Sequence, residues 1–227
     1  MSSKKSLAHV QNRIQAAARE AGRDPETVRL LAVGKSKPAE QLRRLAEAGQ
    51  KDFGENYVQE ALDKMSALAD LEDLIWHFIG PLQSNKTRAV AEAFHWVHSV
   101  DRLKIAKRLS AQRPEQLPPL NICIQVNISE EAQKAGIAPS ETAALADACA
   151  KLPRIRLRGL MCLPAPAPDA ESQRLAFRQL RRLQEALIRQ GHTLDTLSMG
   201  MSADLEAAIL EGSTLVRIGS ALFGPRD

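Results

Sequence analysis

The sequence predicts an α/β fold, a single (β/α)8 barrel of the TIM type with an extra N-terminal helix. Short runs of apolar and β-branched residues alternate eight times with longer helical patterns along the 227 residues. Such alternation is typical of parallel strands joined by helical crossovers. No G-x-G-x-x-G motif follows the first strand, which disfavours the alternative of an open doubly wound sheet. We expect residues 1–227 to form one domain.

The first half of the chain predicts one helix followed by four strand–helix units. The amphipathic stretch 4–21 is closed by Gly22, a residue that commonly ends helices. The predicted strands of this half are 28–35, 52–55, 75–80 and 96–100. A helical pattern follows each of them, and Pro38 opens the first of these helices, a position that proline favours.

The second half repeats the alternation. Residues 120–128 form the clearest strand because branched side chains alternate along them. The later predicted strands are 155–163, 196–202 and 214–224, and the helices between strands are 140–151, 170–190 and 203–211. Few residues follow the eighth strand, so its helix should be very short or missing. We expect the N-terminal helix to cover that gap.

Composition and charge disfavour several classes of protein. The net charge of +4 comes from basic residues interleaved with acidic ones, and aromatic residues make up 4%, so we expect no nucleic-acid partner. No apolar run approaches the roughly 18 residues of a membrane span. The three cysteines are widely separated, which is typical of reduced thiols in a cytoplasmic protein. No Cys, His and carboxylate set has metal-ligand spacing, so we expect no metal.

Candidate functional side chains lie at the carboxyl ends of the predicted strands, where barrels of this kind bind ligands. The runs "SMGMS" and "RIGS" follow strands seven and eight, whose loops often bind phosphate. Glycine allows close approach of the backbone, and serine supplies hydrogen bonds. Ser202 also precedes a predicted helix, so it either contributes to an anion site at the helix start or serves only as the helix cap.

Lys35 and Lys37 follow the first predicted strand and are two residues apart, so both should point to the same face. A lysine at the end of a buried strand can form a Schiff base with an aldehyde. Together with a phosphate site it indicates pyridoxal phosphate or a sugar-phosphate aldolase, whereas the alternative is a lysine that only extends to solvent. Depth favours Lys35, because Lys37 adjoins Pro38, where the chain leaves the strand.

Six motifs occur in order along the chain: "LLAVGKSKP", "FGENYVQEALDK", "WHFIGPLQSNK", "GLMCL", "LSMGMSADLEAAI" and "GSTLVRIGSALFG". Together they resemble the pyridoxal phosphate homeostasis protein family of the YggS/PROSC type, which is related to the alanine racemase N-terminal domain. The resemblance spans the chain from about residue 30 to residue 224. It implies pyridoxal 5′-phosphate held as a Schiff base on Lys35, and a role in intracellular vitamin B6 homeostasis and in amino-acid homeostasis.

The resemblance also implies roles for other residues. Arg217 is expected beside the ring nitrogen of the cofactor, and Asn56 and Met161 are expected to line the ring. The residues expected to bind the phosphate are Ser198, Ser202, Gly219 and Ser220. The functions of Lys37 and Lys134 stay open.

The same family comparison favours a carrier over an enzyme. An arginine beside the ring nitrogen keeps it unprotonated, which weakens the ring as an electron sink. Racemisation needs a base on each face of the substrate. Alanine racemases supply the second base from a C-terminal domain across a dimer, whereas this sequence ends at Asp227 and contains one tyrosine, Tyr57. We expect a monomer that supplies pyridoxal phosphate to apoenzymes; the alternative is an amino-acid racemase or another weak pyridoxal-phosphate enzyme.

Overall fold

Eight parallel strands close into a barrel in chain order. The computed structural model describes residues 2–129, 133–167 and 169–224. Each strand pairs with the next, and the eighth closes the barrel by pairing with the first. The strands are β1 (Arg29–Val33), β2 (Asp52–Glu55), β3 (Ile75–Phe78), β4 (Trp96–Val100), β5 (Leu120–Gln125), β6 (Ile155–Met161), β7 (Thr196–Ser198) and β8 (Leu215–Ile218). The predicted (β/α)8 barrel is confirmed.

Helices alternate with the strands along the chain, as the alternation predicted. They are α1 (Ser3–Glu20), α2 (Ala39–Glu47), α3 (Val58–Ala67), α4 (Thr87–Ala93), α5 (Leu103–Gln112), α6 (Thr142–Ala150), α7 (Ala170–Arg189), α8 (Leu205–Leu210) and α9 (Ser220–Phe223). Large buried side chains such as Phe53, Phe78 and Phe94 belong to the main apolar core. No helix in the described ranges is long and apolar enough to cross a membrane.

The N-terminal helix takes the place of a full eighth helix. Helix α9 has only four residues, and α1 packs against α2, α8 and α9. The buried face of α1 includes Leu7, Val10 and Ile14, which recur at helical spacing. The expectation that the first helix covers the gap after β8 is therefore confirmed.

Several strands end earlier than predicted, and this changes the setting of the candidate residues. β1 ends at Val33, so Lys35 lies in the turn after the strand and the predicted strand 28–35 was wrong at its end. Lys37 N–H donates to Gly34 O at 2.9 Å and Ser36 has φ 61°, which closes a tight turn. Residues 220–223 were predicted as strand and form α9 instead. Helix α8 starts at Leu205, later than predicted.

Candidate functional site

A cavity of about 420 Å³ opens at the carboxyl ends of the strands. Its volume falls within the range of small-molecule pockets, which is roughly 300–1,000 Å³. The loops after β1, β2, β7 and β8 all contribute to its wall. Six of the eight predicted site residues line it, namely Lys35, Asn56, Ser202, Arg217, Gly219 and Ser220.

The other two predicted residues, Met161 and Ser198, are buried and do not line this cavity. Met161 packs with Trp96 and Cys123 in a small apolar cluster. Ser198 Oγ accepts a hydrogen bond from Arg217, which does line the cavity. Both residues are the last of their strand. A side chain at such a position can point either into the barrel interior or towards the ligand cavity, and the motif alone does not reveal which.

Both candidate lysines line the cavity, although neither lies in a strand. Lys35 is half-buried. Within the described part of the chain, its side-chain nitrogen makes no hydrogen bond or ion pair, which leaves the amine available to a ligand. The strand alternation that predicted a shared face does not apply here, because Ser36 turns the chain between the two lysines.

Arg217 is buried at the floor of the cavity and is held by two acceptors. Its Nη1 donates to Ser198 Oγ at 2.7 Å, and its Nη2 donates to Cys162 O at 2.8 Å. Burial lowers the pKa of Arg217 from its ordinary value of 12.5. A guanidinium stays protonated in proteins, so Arg217 presents only donors to a ligand.

A chain of buried hydrogen bonds continues from Ser198 along the barrel interior. Ser198 Oγ lies 2.8 Å from His98 Nδ1, His98 Nε2 lies 2.9 Å from His77 Nδ1, and His77 Nε2 lies 2.8 Å from Asp52 Oδ1. Because Arg217 donates to Ser198, the serine proton is free to point to His98, and each neutral histidine then donates through Nε2. Burial lowers the pKa of His77 to about 4 and that of His98 well below its usual range.

Sequence reasoning missed this chain. The available signal was the occurrence of two histidines inside consecutive predicted strands, which pair with each other. The bond from His98 to Ser198 of β7 could not be seen in this way, because it joins strands that are distant along the chain. This chain of hydrogen bonds holds Arg217 in place through its bond to Ser198. Ser198 therefore supports Arg217 and is not itself part of the cavity lining.

The two predicted phosphate loops meet at one side of the cavity. Gly200 has φ 96°, a conformation that favours glycine, and its carbonyl accepts from Arg217 N–H at 2.9 Å. Ser202 is not a helix cap, because the N-cap of α8 is Asp204. Arg13 of α1 donates to Ser202 O at 3.2 Å and braces this loop.

A second group missed by sequence reasoning lies beneath the Lys35 turn. Lys64 of α3 is buried, and its Nζ donates to Glu55 Oε1 at 2.8 Å and to Gly34 O at 2.7 Å. Burial raises the pKa of Glu55 to about 7, against the opposing effect of Lys64. A buried lysine with a buried carboxylate is uncommon unless the two are paired.

The site offers hydrogen-bond donors for an anion and an amine in one cavity. Ser202, Gly219 and Ser220 line the same cavity as the basic residues Lys35 and Arg217. Hydroxyls and basic groups are the donors that phosphate monoesters bind. The donor set therefore fits a phosphorylated ligand that carries a carbonyl group.

Comparison with known proteins identifies the family of the chain. A profile of the family described as "Alanine racemase, N-terminal domain" matches residues 6–227. The Pyridoxal phosphate homeostasis protein of Pseudomonas aeruginosa is 62% identical over 221 residues, which cover 97% of this chain and 94% of that protein. The protein of the same name in Escherichia coli is 54% identical over 223 residues, covering 97% of this chain and 95% of that one.

Solved structures show the same architecture. PipY of Synechococcus elongatus, with pyridoxal phosphate bound, is 40% identical with a TM-score of 0.80, and the match covers 93% of this chain and all of PipY. An alanine racemase of Clostridium difficile is 15% identical with a TM-score of 0.77, covering 98% of this chain and 57% of the racemase, which shows the fold alone. The chain belongs to the alanine racemase N-terminal domain family, among the relatives named pyridoxal phosphate homeostasis proteins.

Proposed function

We propose that the protein binds pyridoxal 5′-phosphate as a Schiff base on Lys35 and acts in the homeostasis of vitamin B6. The observation that carries this proposal is the convergence of Lys35, Arg217, Ser202 and Ser220 on one cavity. The printed names of the relatives and the bound cofactor in PipY support it.

Each residue has a definite task in this proposal. Lys35 would hold the cofactor through its side-chain amine, whose nitrogen would bond to the aldehyde carbon while the carbonyl oxygen left as water. Ser202 and Ser220 donate hydrogen bonds to the phosphate oxygens. Arg217 would donate a hydrogen bond to the ring nitrogen, which would then be an acceptor and stay unprotonated. When bound, the cofactor supplies an electron-withdrawing ring and a carbon that exchanges between amines.

These tasks favour a carrier or regulator over an enzyme. An unprotonated ring nitrogen stabilises a carbanion poorly, and the chain Arg217–Ser198–His98 holds the arginine in place from below. Incubation with single amino acids in deuterated water tests this part of the proposal. Loss of the α-proton signal with turnover would instead indicate a racemase or a related enzyme.

The finer parts of the proposal concern the setting of the protein. We propose that apoenzymes dependent on pyridoxal phosphate receive the cofactor, and that the protein acts as a monomer in the cytoplasm. The three cysteines are unpaired and buried, which supports a reducing compartment. Sedimentation of the purified protein at several concentrations tests the monomer, and reconstitution of an apoenzyme across a dialysis membrane tests whether transfer needs contact.

The visible spectrum and chemical trapping test the binding mode. The purified protein should be yellow, and borohydride should remove the absorbance and add the mass of the reduced cofactor to the peptide that contains Lys35. Lys35→Ala should lose this label. Lys37→Ala is the matched control, because Lys37 lines the same cavity, and it should keep the label on Lys35. A Lys35→Ala protein that still forms the full absorbance would refute the assignment.

A further inference from the structure

Two side chains of helix α3 form hydrogen bonds with the turn that carries Lys35. The first is Lys64, whose Nζ donates to Gly34 O at 2.7 Å, to Glu55 Oε1 at 2.8 Å and to Glu60 Oε1 at 2.6 Å. An ammonium group has three protons, so these three bonds use all of them. The lysine is therefore committed to the turn and to the two carboxylates.

The second side chain is Glu60, which lies one helical turn before Lys64. Its Oε1 accepts a hydrogen bond from Ser36 N–H at 2.6 Å. Ser36 has φ 61°, a left-handed conformation that costs a residue other than glycine roughly 1 kcal/mol or more. The bond from its N–H to a charged acceptor offsets part of that cost.

The two bonds enclose Lys35 from both sides along the chain. Lys64 holds the carbonyl of Gly34, which precedes Lys35, and Glu60 holds the N–H of Ser36, which follows it. The backbone on each side of Lys35 is thereby fixed to α3. We call Glu60 and Lys64, with these two bonds, the clamp. The Cα–Cβ direction of Lys35 follows from the backbone, so the clamp sets where the side chain leaves the turn.

We propose that Glu60 and Lys64 are positioning residues that direct the amine of Lys35, rather than that of Lys37, to the carbonyl of the ligand. The inference rests on the proposed function of Lys35. Both lysines line the cavity, so the lining alone does not choose between them. The clamp acts more directly on Lys35, because both peptide groups that it holds adjoin Lys35. Lys37 meets it only through its own N–H bond to Gly34 O.

Close packing keeps the clamp in place. A Cβ atom added at Gly34 would lie 2.6 Å from Glu55 Oε1, so glycine allows the turn to approach the buried carboxylate. Glu60, in contrast, is partly exposed, with 29% of its side chain accessible. Truncation of Glu60 therefore removes one side of the clamp and leaves the buried Lys64–Glu55 pair in place.

Hydrogen exchange in the protein without cofactor tests the clamp first. In Glu60→Ala the amide of Ser36 should exchange about tenfold faster than in the wild-type protein, the effect expected for losing one partly exposed bond to a charged acceptor. Asp63→Ala is the matched control on the same helix, because its exposed carboxylate accepts from Gln59 and not from the turn. Exchange at Ser36 that is equal in Glu60→Ala and in the control would overturn the inference.

Trapping with pyridoxal 5′-phosphate and borohydride then tests the choice of lysine. In Glu60→Ala the rate of labelling at Lys35 should fall on the order of tenfold, since small displacements of a reacting group have effects of at least this size. The share of label on Lys37 should rise. Glu60→Gln should restore labelling of Lys35, because its carbonyl oxygen can still accept from Ser36 N–H.

The outcomes separate this inference from the proposed function. Wild-type protein without label on Lys35 would refute the proposed function, and the positioning role with it. Normal labelling of the wild type, with the same rate and the same lysine in Glu60→Ala, would refute the positioning role alone. An equal fall at both lysines would also count against it, because that result indicates general loosening of the site.

Discussion

Replacing Glu55 with glutamine should change how the stability of the protein depends on pH. Glu55 is fully buried at the end of β2, and its Oε1 accepts from Lys64. Within the residues that the structure describes, its Oε2 has no hydrogen-bond partner. Burial raises the pKa of Glu55 from 4.5 to about 7, and the nearby ammonium only partly offsets this.

The sign of the effect follows from where the proton is held. Between pH 4.5 and about 7 the native protein keeps a proton on Glu55 that the unfolded chain has released. The contribution of Glu55 to the free energy of unfolding is therefore fully present below pH 4.5, and it is lost as the pH rises to about 7 and above. A shift of this size corresponds to about 3 kcal/mol.

Histidine ionisation opposes this effect in the wild-type protein. Burial lowers the pKa of His77 from 6.5 to about 4, so the unfolded chain binds a proton in this range that the native protein does not. The contribution of His77 to stability therefore rises with pH across the same interval. The histidine contribution is the same in the wild type and in Glu55→Gln. The difference between their free energies of unfolding therefore reports the ionisation of Glu55 alone.

Urea unfolding at several pH values measures that difference. We expect Glu55→Gln to gain about 3 kcal/mol relative to the wild type between pH 4.5 and 8, because glutamine cannot ionise. Glu72→Gln, at an exposed glutamate, is the control and should show no such trend. The difference in free energy of unfolding between the two proteins could instead stay constant with pH, or shift towards the wild type as the pH rises. Either result would mean that pairing with Lys64 outweighs burial.

Three further predictions concern the loops and the interior. Gly200→Ala should lower the free energy of unfolding by about 3 kcal/mol, because Gly200 has positive φ and an added Cβ would lie 2.6 Å from another Cβ; Gly22→Ala, with positive φ in open space, should cost about 1 kcal/mol. Ser198→Ala should cost about 1–3 kcal/mol, because it leaves a buried donor of Arg217 unpaired, whereas the exposed Ser66→Ala should have little effect. The cysteines should resist alkylation at about pH 8 in native protein, since burial raises the pKa of all three thiols to about 12.

Each of these predictions has a contrary outcome. Equal losses of stability in the two glycine variants, measured by urea unfolding, would show that the loop after β7 accommodates the methyl group. A Ser198→Ala protein as stable as the wild type would mean that water replaces the serine. Labelling of the native thiols at the rate of the urea-unfolded protein would contradict their burial.

The sequence by itself determined the architecture and the place of the site. The alternation of short apolar runs with helical patterns is enough to predict parallel strands, and eight such units are enough to predict a barrel. The rule that ligands bind at the carboxyl ends of the strands then selected Lys35, Ser202, Gly219 and Ser220, and all four line the cavity. These inferences depend on periodicity and chain order, which a single sequence contains.

Only the tertiary structure decided how these residues are held. The end of β1 at Val33 placed Lys35 in a turn. Lys64 and Glu60 hold that turn from 30 and 24 positions further along the chain, through Gly34 and Ser36. Ser198 likewise contacts Arg217 of the neighbouring strand and His98 across the barrel, and it does not line the ligand cavity. The alternation of residues along a strand predicts which side chains share a face. Closure of the barrel decides which of these faces meet. Burial then sets the protonation of the groups enclosed there.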